Sequence, residues 1–453
     1  MNKIQTFLLH IRERVEQSDI GKRMMTGAFW SFVGSVLARF ASLVASIGCA
    51  RILGKHYFGQ LDLVRSNLNM FISFGGLGIG LMATKYISEY RKEHPERASS
   101  IYYVSNLFAV GFALFLAVLI FIFADWYCIS VLNAPELLVP LQSTSFILAI
   151  IIFNVAEEGV LVGFEDFKAK ALNAFYGGIL SAALMLLGAR YYGVLGAVQG
   201  YGLGFALTAA LNKIAINRNF SRKGYKPSLR DFRKSDIRLL YTYSLPATLS
   251  SILAAPTMMV IRTLLVRHTD FSEAALFAAS DQWRILILFV PTALGQIALP
   301  ILSSIGSKSK NKFWKVLYAN IALSGAVALL LAIIVSALSL FILSFYGRGY
   351  DNNVPMITLA FSCVFTALSM VFGASISSMA RMWSWCAFNI VWGAIAIGSS
   401  WLFLRMGLGV NGVAYGVLLS YFCHALFQYI YLLIVRRKWS DSSENSHNNE
   451  QNS

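Results

Sequence analysis

Residues 101–124 read IYYVSNLFAVGFALFLAVLIFIFA, a stretch of the chain without a single charged side chain. Because an α-helix rises about 1.5 Å per residue, a run of this length crosses the roughly 30 Å hydrocarbon core of a bilayer. It does not alternate apolar and polar residues as a membrane β-strand does. Comparable runs recur along the chain, and we expect about 12 transmembrane helices in an all-α polytopic membrane protein. The predicted spans are Thr26–Ala50, Gln60–Thr84, Ile101–Ala124, Pro140–Gly163, Ala171–Ala189, Leu195–Leu211, Leu240–Val266, Ala274–Leu302, Val316–Leu343, Val354–Met379, Trp385–Leu404 and Val410–Val435.

Composition supports the membrane assignment and fixes an orientation. The chain is 57% hydrophobic and 13% charged, about half the charged share of soluble proteins. Its formal net charge of +16 could indicate nucleic acid, but most of the 38 Lys and Arg residues fall on one side of the predicted spans. By the positive-inside rule both termini then lie in the cytoplasm, and we expect no nucleic-acid partner. Nine basic residues lie in Lys213–Arg238, which is either a topology anchor on an anionic leaflet or a specific binding site.

The same pattern divides the chain into segments. We expect a cytoplasmic N-terminal segment (1–23), an N-lobe (24–212), a basic linker (213–238), a C-lobe (239–437) and a disordered cytoplasmic tail (438–453) rich in Ser, Asn and Glu. The first apolar run is too long for a signal peptide, so no cleavable signal is predicted. Of five cysteines only Cys128 lies in a predicted outer loop, so no disulfide framework is expected.

An internal repeat relates the two lobes. Asp62 and Arg65 in the second span recur 219 residues later as Asp281 and Arg284 in the eighth. The motif at residues 193–196 recurs 216 residues later at 409–412. Six helices per lobe is an even number, so the lobes run in the same direction through the membrane. This predicts a parallel repeat about an axis along the membrane normal, with the substrate site between the lobes.

Four arginines within the spans are candidates for substrate binding. Ionisable groups in a bilayer are costly and usually face a protein interior or an aqueous cavity. Arg39 lies near the middle of the first span, and Arg262 lies in the matching seventh span on the same helical face, so each lobe contributes one arginine to a cationic cavity. Guanidinium groups suit phosphate, which predicts an anionic substrate. The alternative is that these arginines, together with Arg65 and Arg284, form ion pairs with the neighbouring aspartates.

Four carboxylates within the spans are candidates for coupling to H⁺ or Na⁺. They are Asp62, Asp281, Glu157 and Glu158. For the two glutamates the alternative is an interfacial role near Lys168 or Lys170. No metal-ligand cluster, nucleophile elbow or phosphate-binding glycine loop occurs in the sequence, so we expect no cofactor and no enzyme activity. His424 in the last span is interpreted as a packing residue.

Short motifs recur through both halves of the chain. The motifs of the first half are Arg51-Ile52-Leu53-Gly54, Phe58-Gly59, Gly76-Leu77-Gly78 and Lys85-Tyr86-Ile87. Those of the second half are Pro246, Pro291, Pro300, Phe345-Tyr346-Gly347 and Gly409-Val410-Asn411-Gly412. Together, over the whole chain, they resemble the motifs of bacterial polysaccharide flippases. These are the O-antigen, capsule and exopolysaccharide exporters of the multidrug/oligosaccharidyl-lipid/polysaccharide superfamily.

The resemblance implies a flippase of the bacterial inner membrane. Its substrate would be an undecaprenyl-pyrophosphate-linked oligosaccharide, moved from the cytoplasmic to the periplasmic leaflet by ion-coupled alternating access. Its partners would be the lipid bilayer and polysaccharide polymerase and chain-length proteins. A multidrug antiporter of the same superfamily is the main alternative. A polysaccharide polymerase or ligase is less favoured, because the longest predicted outer loop, Asp125–Val139, contains neither Arg nor His.

Overall fold

The computed structural model describes residues 19–233, 236, 253–295, 310–379 and 381–451, and the regular structure within these ranges is helical. The helices are α1 (Asp19–Leu53), α2 (Lys55–Gly75), α3 (Leu77–Tyr90), α4 (Pro95–Trp126), α5 (Leu138–Gly163), α6 (Phe167–Ser221), α7 (Ala254–His268), α8 (Phe271–Ile287), α9 (Lys310–Ala337), α10 (Ser339–Ser344), α11 (Val354–Ser378), α12 (Met382–Arg405) and α13 (Gly409–Gln451). A π-helical turn (Tyr127–Leu132) follows α4, and short 3-10 turns form at Pro135–Leu137 and Leu229–Asp231. Most of the predicted N-terminal segment, the first half of the predicted seventh span with Pro246, and the end of the eighth with Pro300 lie outside the described residues.

The helices are long and apolar enough to cross a membrane repeatedly. Among the described residues nine elements meet that condition, and ten if the bent pair of α2 and α3 forms one span. One of the nine, α6, contains a backbone break at Gly193 and holds both the predicted fifth and sixth spans. The described part of the predicted seventh span is α7. The fold class predicted from the sequence, an all-α polytopic membrane protein with about twelve spans, is therefore confirmed.

Two glycines of the repeated motif end one helix and start the next. Gly193 has φ +60° and ψ −141° inside α6, and Gly409 has φ +54° at the start of α13. Residues with a side chain rarely adopt such backbone angles, so glycine permits each turn. In each case two helices pack tightly after the turn. A Cβ on Gly200 would overlap the backbone of Leu184, and one on Gly416 would lie 2.6 Å from the Ser400 side chain. Leu184 and Ser400 are again 216 residues apart, so the sequence repeat corresponds to a repeated helical hairpin.

The chain forms two compact units. The first contains the described residues of 1–52, 67–130 and 134–251. Helices α3, α4, α5 and α6 pack there around a core that includes Ile87, Ile101, Leu161 and Phe220.

The second unit contains the described residues of 53–66, 131–133 and 252–453. Its core includes Phe313, Phe372 and Leu432 from α9, α11 and α13. Residues 53–66, which the sequence placed in the N-lobe, belong to this unit. The backbone of α2 approaches α8 so closely there that a Cβ on Gly59 would overlap the carbonyl oxygen of Phe271.

The predicted linker begins as helix and then packs onto the first unit. The α6 helix continues to Ser221, beyond the predicted linker boundary at residue 213. After it, the carboxylates of Asp231 and Asp236 accept hydrogen bonds of 2.7 Å from the hydroxyls of Ser99 and Ser100 in α4. The end of the linker is therefore tied to α4 by buried and half-buried hydrogen bonds.

At the other end, α13 continues to Gln451, through most of the tail for which composition predicts disorder. Extending an existing helix avoids the cost of nucleating a new one, which accounts for the difference.

Candidate functional site

Four buried or nearly buried charged side chains form a cluster in the second unit. Asp62 of α2, Arg262 of α7, and Asp281 and Arg284 of α8 meet there, and we refer to them as the charge cluster. The Arg262 guanidinium donates from Nε to Asp62 Oδ2 at 2.9 Å and from Nη2 to Asp281 Oδ2 at 2.6 Å. Arg284 Nε donates to the other oxygen of Asp281 at 2.5 Å. Asp281 thus holds both arginines, and Arg262 holds both aspartates.

The charge cluster is buried and carries no net charge. The exposed fraction is 6% for the Asp281 side chain, 9% for Arg262, 10% for Arg284 and 18% for Asp62. The guanidinium of Arg262 also lies 5.1 Å from the ring centre of Phe277. Desolvating an ion pair costs about as much as the pair regains, unless the geometry is good and the remaining hydrogen-bonding groups are satisfied. The hydrogen bonds above meet that condition for Arg262 and Asp281.

The sequence left two roles open for Arg262 and Arg284, substrate binding and ion pairing with the aspartates, and the structure shows the ion pairs. It also shows why residues 53–66 belong to the second unit, since Asp62 is one of the two carboxylates that hold Arg262. Asp62 reaches Arg262 across 200 residues of sequence, a contact that only tertiary packing reveals.

The other two candidate arginines are less buried. Arg39 is half-buried on α1 in the first unit, and Arg65 is half-buried on α2 in the second, one turn after Asp62. Their predicted role in substrate binding stays a prediction.

A cavity of about 390 Å³ lies inside the first unit, between α1 and the two halves of α6. Its walls are mostly Gly, Ala and Ser side chains, which leave the space that larger residues would fill. At one end Lys170 Nζ lies 3.3 Å from Glu158 Oε2, and Lys168 Nζ lies 5.4 Å from the ring centre of Trp30. Arg39 is displaced by about 100° from Ala38, which lines the cavity, and so belongs to a neighbouring face of α1.

The two adjacent glutamates of α5 occupy different environments. Glu158 pairs with Lys170, which corresponds to the interfacial alternative predicted for it. Glu157 is fully buried, and neither of its carboxyl oxygens has a hydrogen-bond partner among the residues that the structure describes.

A chain of three amide side chains lies one helical turn from Glu157. Asn173 Nδ2 donates to Asn212 Oδ1 at 2.9 Å, and Asn212 Nδ2 donates to Asn154 Oδ1 at 2.7 Å. The remaining amide group, Asn154 Nδ2, is buried and has no acceptor within the described part of the chain. We refer to Glu157 with Asn154, Asn173 and Asn212 as the carboxyl–amide group. Sequence reasoning identified Glu157 but missed the asparagines, because neutral polar residues in apolar helices follow no pattern that predicts their contacts.

The second unit holds a smaller polar contact at His424. Its Nε2 lies 3.0 Å from Gln428 Nε2, and its ring lies 6.2 Å from that of Trp392. These contacts agree with the predicted packing role of His424.

Comparison with known proteins identifies sequence relatives over most of the chain. Residues 24–306, more than half of the chain, match the family described as "Polysaccharide biosynthesis protein". The chain is 22% identical over 404 residues to the EPS I polysaccharide export inner membrane protein EpsE of Ralstonia solanacearum, covering 87% of this chain and 90% of that protein. The corresponding EpsE protein of Ralstonia nicotianae is 23% identical with the same coverage.

Solved structures share the fold. A multidrug resistance MATE family transporter of the MOP superfamily in an inward-facing conformation aligns with a TM-score of 0.79 at 16% identity, over 91% of this chain and 99% of that one. A MOP superfamily transporter from Pyrococcus furiosus aligns with a TM-score of 0.66 at 16% identity, over 94% of this chain and 97% of that one. At this identity the likeness concerns the fold alone.

Proposed function

The chain belongs to the polysaccharide biosynthesis protein family, and we propose that it is a transporter that exports a polysaccharide precursor across the bacterial inner membrane. The observation that carries the proposal is the family match over residues 24–306. The curated relatives support it, since both are named polysaccharide export inner membrane proteins and align over 87% of this chain. The fold supports transport rather than catalysis, because the aligned solved structures are transporters.

The proposed substrate is an undecaprenyl-pyrophosphate-linked oligosaccharide. A pyrophosphate needs cationic groups within the membrane, and guanidinium suits it because its planar fork donates two parallel hydrogen bonds. Of the four candidate arginines, Arg262 and Arg284 are buried in the charge cluster, whereas Arg39 and Arg65 are half-buried. Arg39 and Arg65 are the proposed phosphate-binding residues because they are the more accessible pair.

The proposed direction is from the cytoplasmic to the periplasmic leaflet, with both termini and the basic segment 213–238 on the cytoplasmic side. Alternating access coupled to an ion gradient would drive the movement. Partners in the same membrane would be polysaccharide polymerase and chain-length proteins. A multidrug antiporter is the second candidate, supported by the fold shared with a MATE transporter. The family match favours the polysaccharide precursor.

Replacing Arg39 tests the substrate site. Arg39→Ala removes one charge-assisted interaction worth about 1.5–3 kcal/mol, which corresponds to a roughly 10- to 150-fold slower translocation. The assay is exposure of the lipid-linked oligosaccharide at the far leaflet of proteoliposomes. Arg190→Ala, which removes an exposed arginine next to the turn at Gly193, is the matched control and is expected to retain the wild-type rate. Wild-type transport by Arg39→Ala would remove Arg39 from the site.

A further inference from the structure

We propose that Glu157 is the proton-carrying group of the first unit, and that Asn154 receives its carboxylate when the proton leaves. The proposal deepens the proposed function, because it assigns the coupling ion and the side chain that carries it. Only the coupling of this proton to transport rests on the proposed function. The carboxyl–amide group itself is described by the geometry of the first unit alone.

The first observation is the burial of Glu157 without a partner. Its side chain is fully buried, and its two oxygens accept no hydrogen bond from the described residues. An ionised carboxylate in this position would lack the hydrogen bonds that a buried charge needs. We infer that the conformation described here holds Glu157 as a neutral carboxylic acid.

The second observation is an unused donor next to it. Asn154 precedes Glu157 by three residues in α5, so both side chains lie on one face of the helix. The hydrogen bonds along the amide chain use the oxygens of Asn154 and Asn212 and leave Asn154 Nδ2 buried and without an acceptor within the described chain. Side chains three residues apart on a helix are neighbours, and we infer that a rotation of the Glu157 side chain brings a carboxylate oxygen to this N–H. The group thus offers a place for the carboxylate that the neutral acid does not use.

The arrangement favours a proton over Na⁺. A sodium ion needs several oxygen ligands, and the buried oxygens of the carboxyl–amide group that accept no hydrogen bond within the described residues are the two of Glu157. The buried groups left without a partner there are one N–H donor and one carboxyl. On deprotonation the carboxyl O–H bond breaks, the proton passes to water that reaches the site, and the carboxylate accepts from Asn154.

Two titratable groups on neighbouring helices interact electrostatically with Glu157. They are the exposed Lys213 on α6 and Tyr102 on α4. On α3, the contact with the same part of α5 is neutral, since the Thr84 hydroxyl donates to the carbonyl of Gly159 at 3.0 Å. Lys213 favours the ionised carboxylate, so the positive charge at the end of α6 assists release of the proton.

Glu158 on the same helix provides the matched control. It is adjacent to Glu157 in sequence but a third exposed, and it pairs with Lys170 at 3.3 Å. Glu157→Gln and Glu158→Gln therefore make the same chemical change, the first in a buried carboxyl without a described partner and the second in a partly exposed carboxyl paired with Lys170. Both substitutions keep the size of the side chain, so both variants are expected to fold.

The test is an infrared titration of the purified full-length protein in liposomes without substrate. The wild type should show the carbonyl band of a protonated carboxylic acid, and this band should disappear as the pH rises. Glu157→Gln should lose the band and Glu158→Gln should keep it. Asn154→Ala should keep the band to higher pH than the wild type, because the carboxylate has lost its donor. A band that persists in Glu157→Gln, or one that Na⁺ removes at constant pH, would overturn the proposal.

Transport separates this proposal from the proposed function. In proteoliposomes that translocate the lipid-linked oligosaccharide, Glu157→Gln should lose the stimulation by a proton gradient while Glu158→Gln retains it. Retained stimulation in Glu157→Gln would overturn the coupling role of Glu157. Absence of any translocation by the wild type, with the infrared band present and lost in Glu157→Gln, would contradict the proposed function and leave the proton site established.

Discussion

Asp281 holds the charge cluster together, so its neutral replacement Asp281→Asn should destabilise the second unit strongly. The carboxylate accepts from Arg262 at 2.6 Å and from Arg284 at 2.5 Å, and its side chain is 6% exposed. Losing it leaves two buried guanidinium groups with one remaining carboxylate, Asp62. Breaking a buried ion pair by removing one partner costs about 3–5 kcal/mol. We expect a loss in this range in the free energy of unfolding.

Two further variants make the expectation quantitative. Asp62→Asn removes the 2.9 Å contact between Arg262 Nε and a carboxylate that is 18% exposed. The free energy of unfolding should fall by about 1.5–3 kcal/mol, the value of one hydrogen bond to a charged group. Asp125→Asn, the same substitution at an exposed position, should stay within about 0.5 kcal/mol of the wild type. Adding Arg284→Gln to Asp281→Asn should cost less than the sum of the two single changes, because the double variant buries one unpaired charge fewer.

The assay is chemical unfolding of the purified protein in detergent micelles, with helix content as the signal. The expected order of destabilisation is Asp281→Asn, then Asp62→Asn, then Asp125→Asn. An Asp281→Asn variant as stable as Asp125→Asn would show that the ion pairs of Asp281 contribute nothing to stability. Strictly additive costs in the double variant would refute the direct pairing of Asp281 with Arg284.

Two further predictions concern the backbone and the basic linker. Gly193→Ala should destabilise the protein by about 1–3 kcal/mol in the same unfolding assay, because φ +60° with ψ −141° excludes a side chain. The control is Gly111→Ala, in a helix with no heavy atom within 4 Å of the new Cβ, which should be neutral or stabilising by up to about 1 kcal/mol. Equal losses of stability in the two variants would contradict a strained turn at Gly193. Burial raises the pKa of the Asp231 carboxyl, but hydrogen bonds from Ser99, Tyr225 and the Ser228 amide outweigh burial and hold that pKa below its usual 3.8. The contact of the linker with α4 should therefore be complete above pH 3.8 and loosen as the pH falls through the lowered pKa. In the wild type, amide exchange at Ser228, corrected for intrinsic rates, should then be faster in acid than at neutral pH. Asp231→Asn should remove this acid dependence, and a variant with the wild-type pH profile would contradict the assignment.

Much of the architecture follows from the sequence because a bilayer imposes a simple requirement. Any apolar run of about 20 residues must be a helix that satisfies its own backbone, so the spans could be predicted one by one. The repeat was also readable, and Gly193 and Gly409 adopt positive φ at corresponding turns. The boundary between the two units was harder to predict. Residues 53–66 belong to the second unit because of contacts with α7 and α8, which are distant in sequence.

The candidate sites were predicted in part, for a related reason. Charged residues inside apolar runs are visible in a sequence, so Arg262, Asp281 and Glu157 could be identified. Their partners could not, since pairing depends on which helices lie side by side. Asn154, Asn173 and Asn212 are neutral and separated by up to 58 residues, and only the packing of α5 against both halves of α6 brings them together.

Transport of a polysaccharide precursor can be measured by reconstituting the purified protein. Liposomes would carry an undecaprenyl-pyrophosphate-linked oligosaccharide, and its exposure at the far leaflet would be measured with and without a proton gradient, alongside efflux of a cationic drug. We expect protein-dependent translocation of the oligosaccharide, faster with the gradient, and no drug efflux. Drug efflux without translocation, from protein shown to be folded, would contradict this expectation and identify a multidrug antiporter instead.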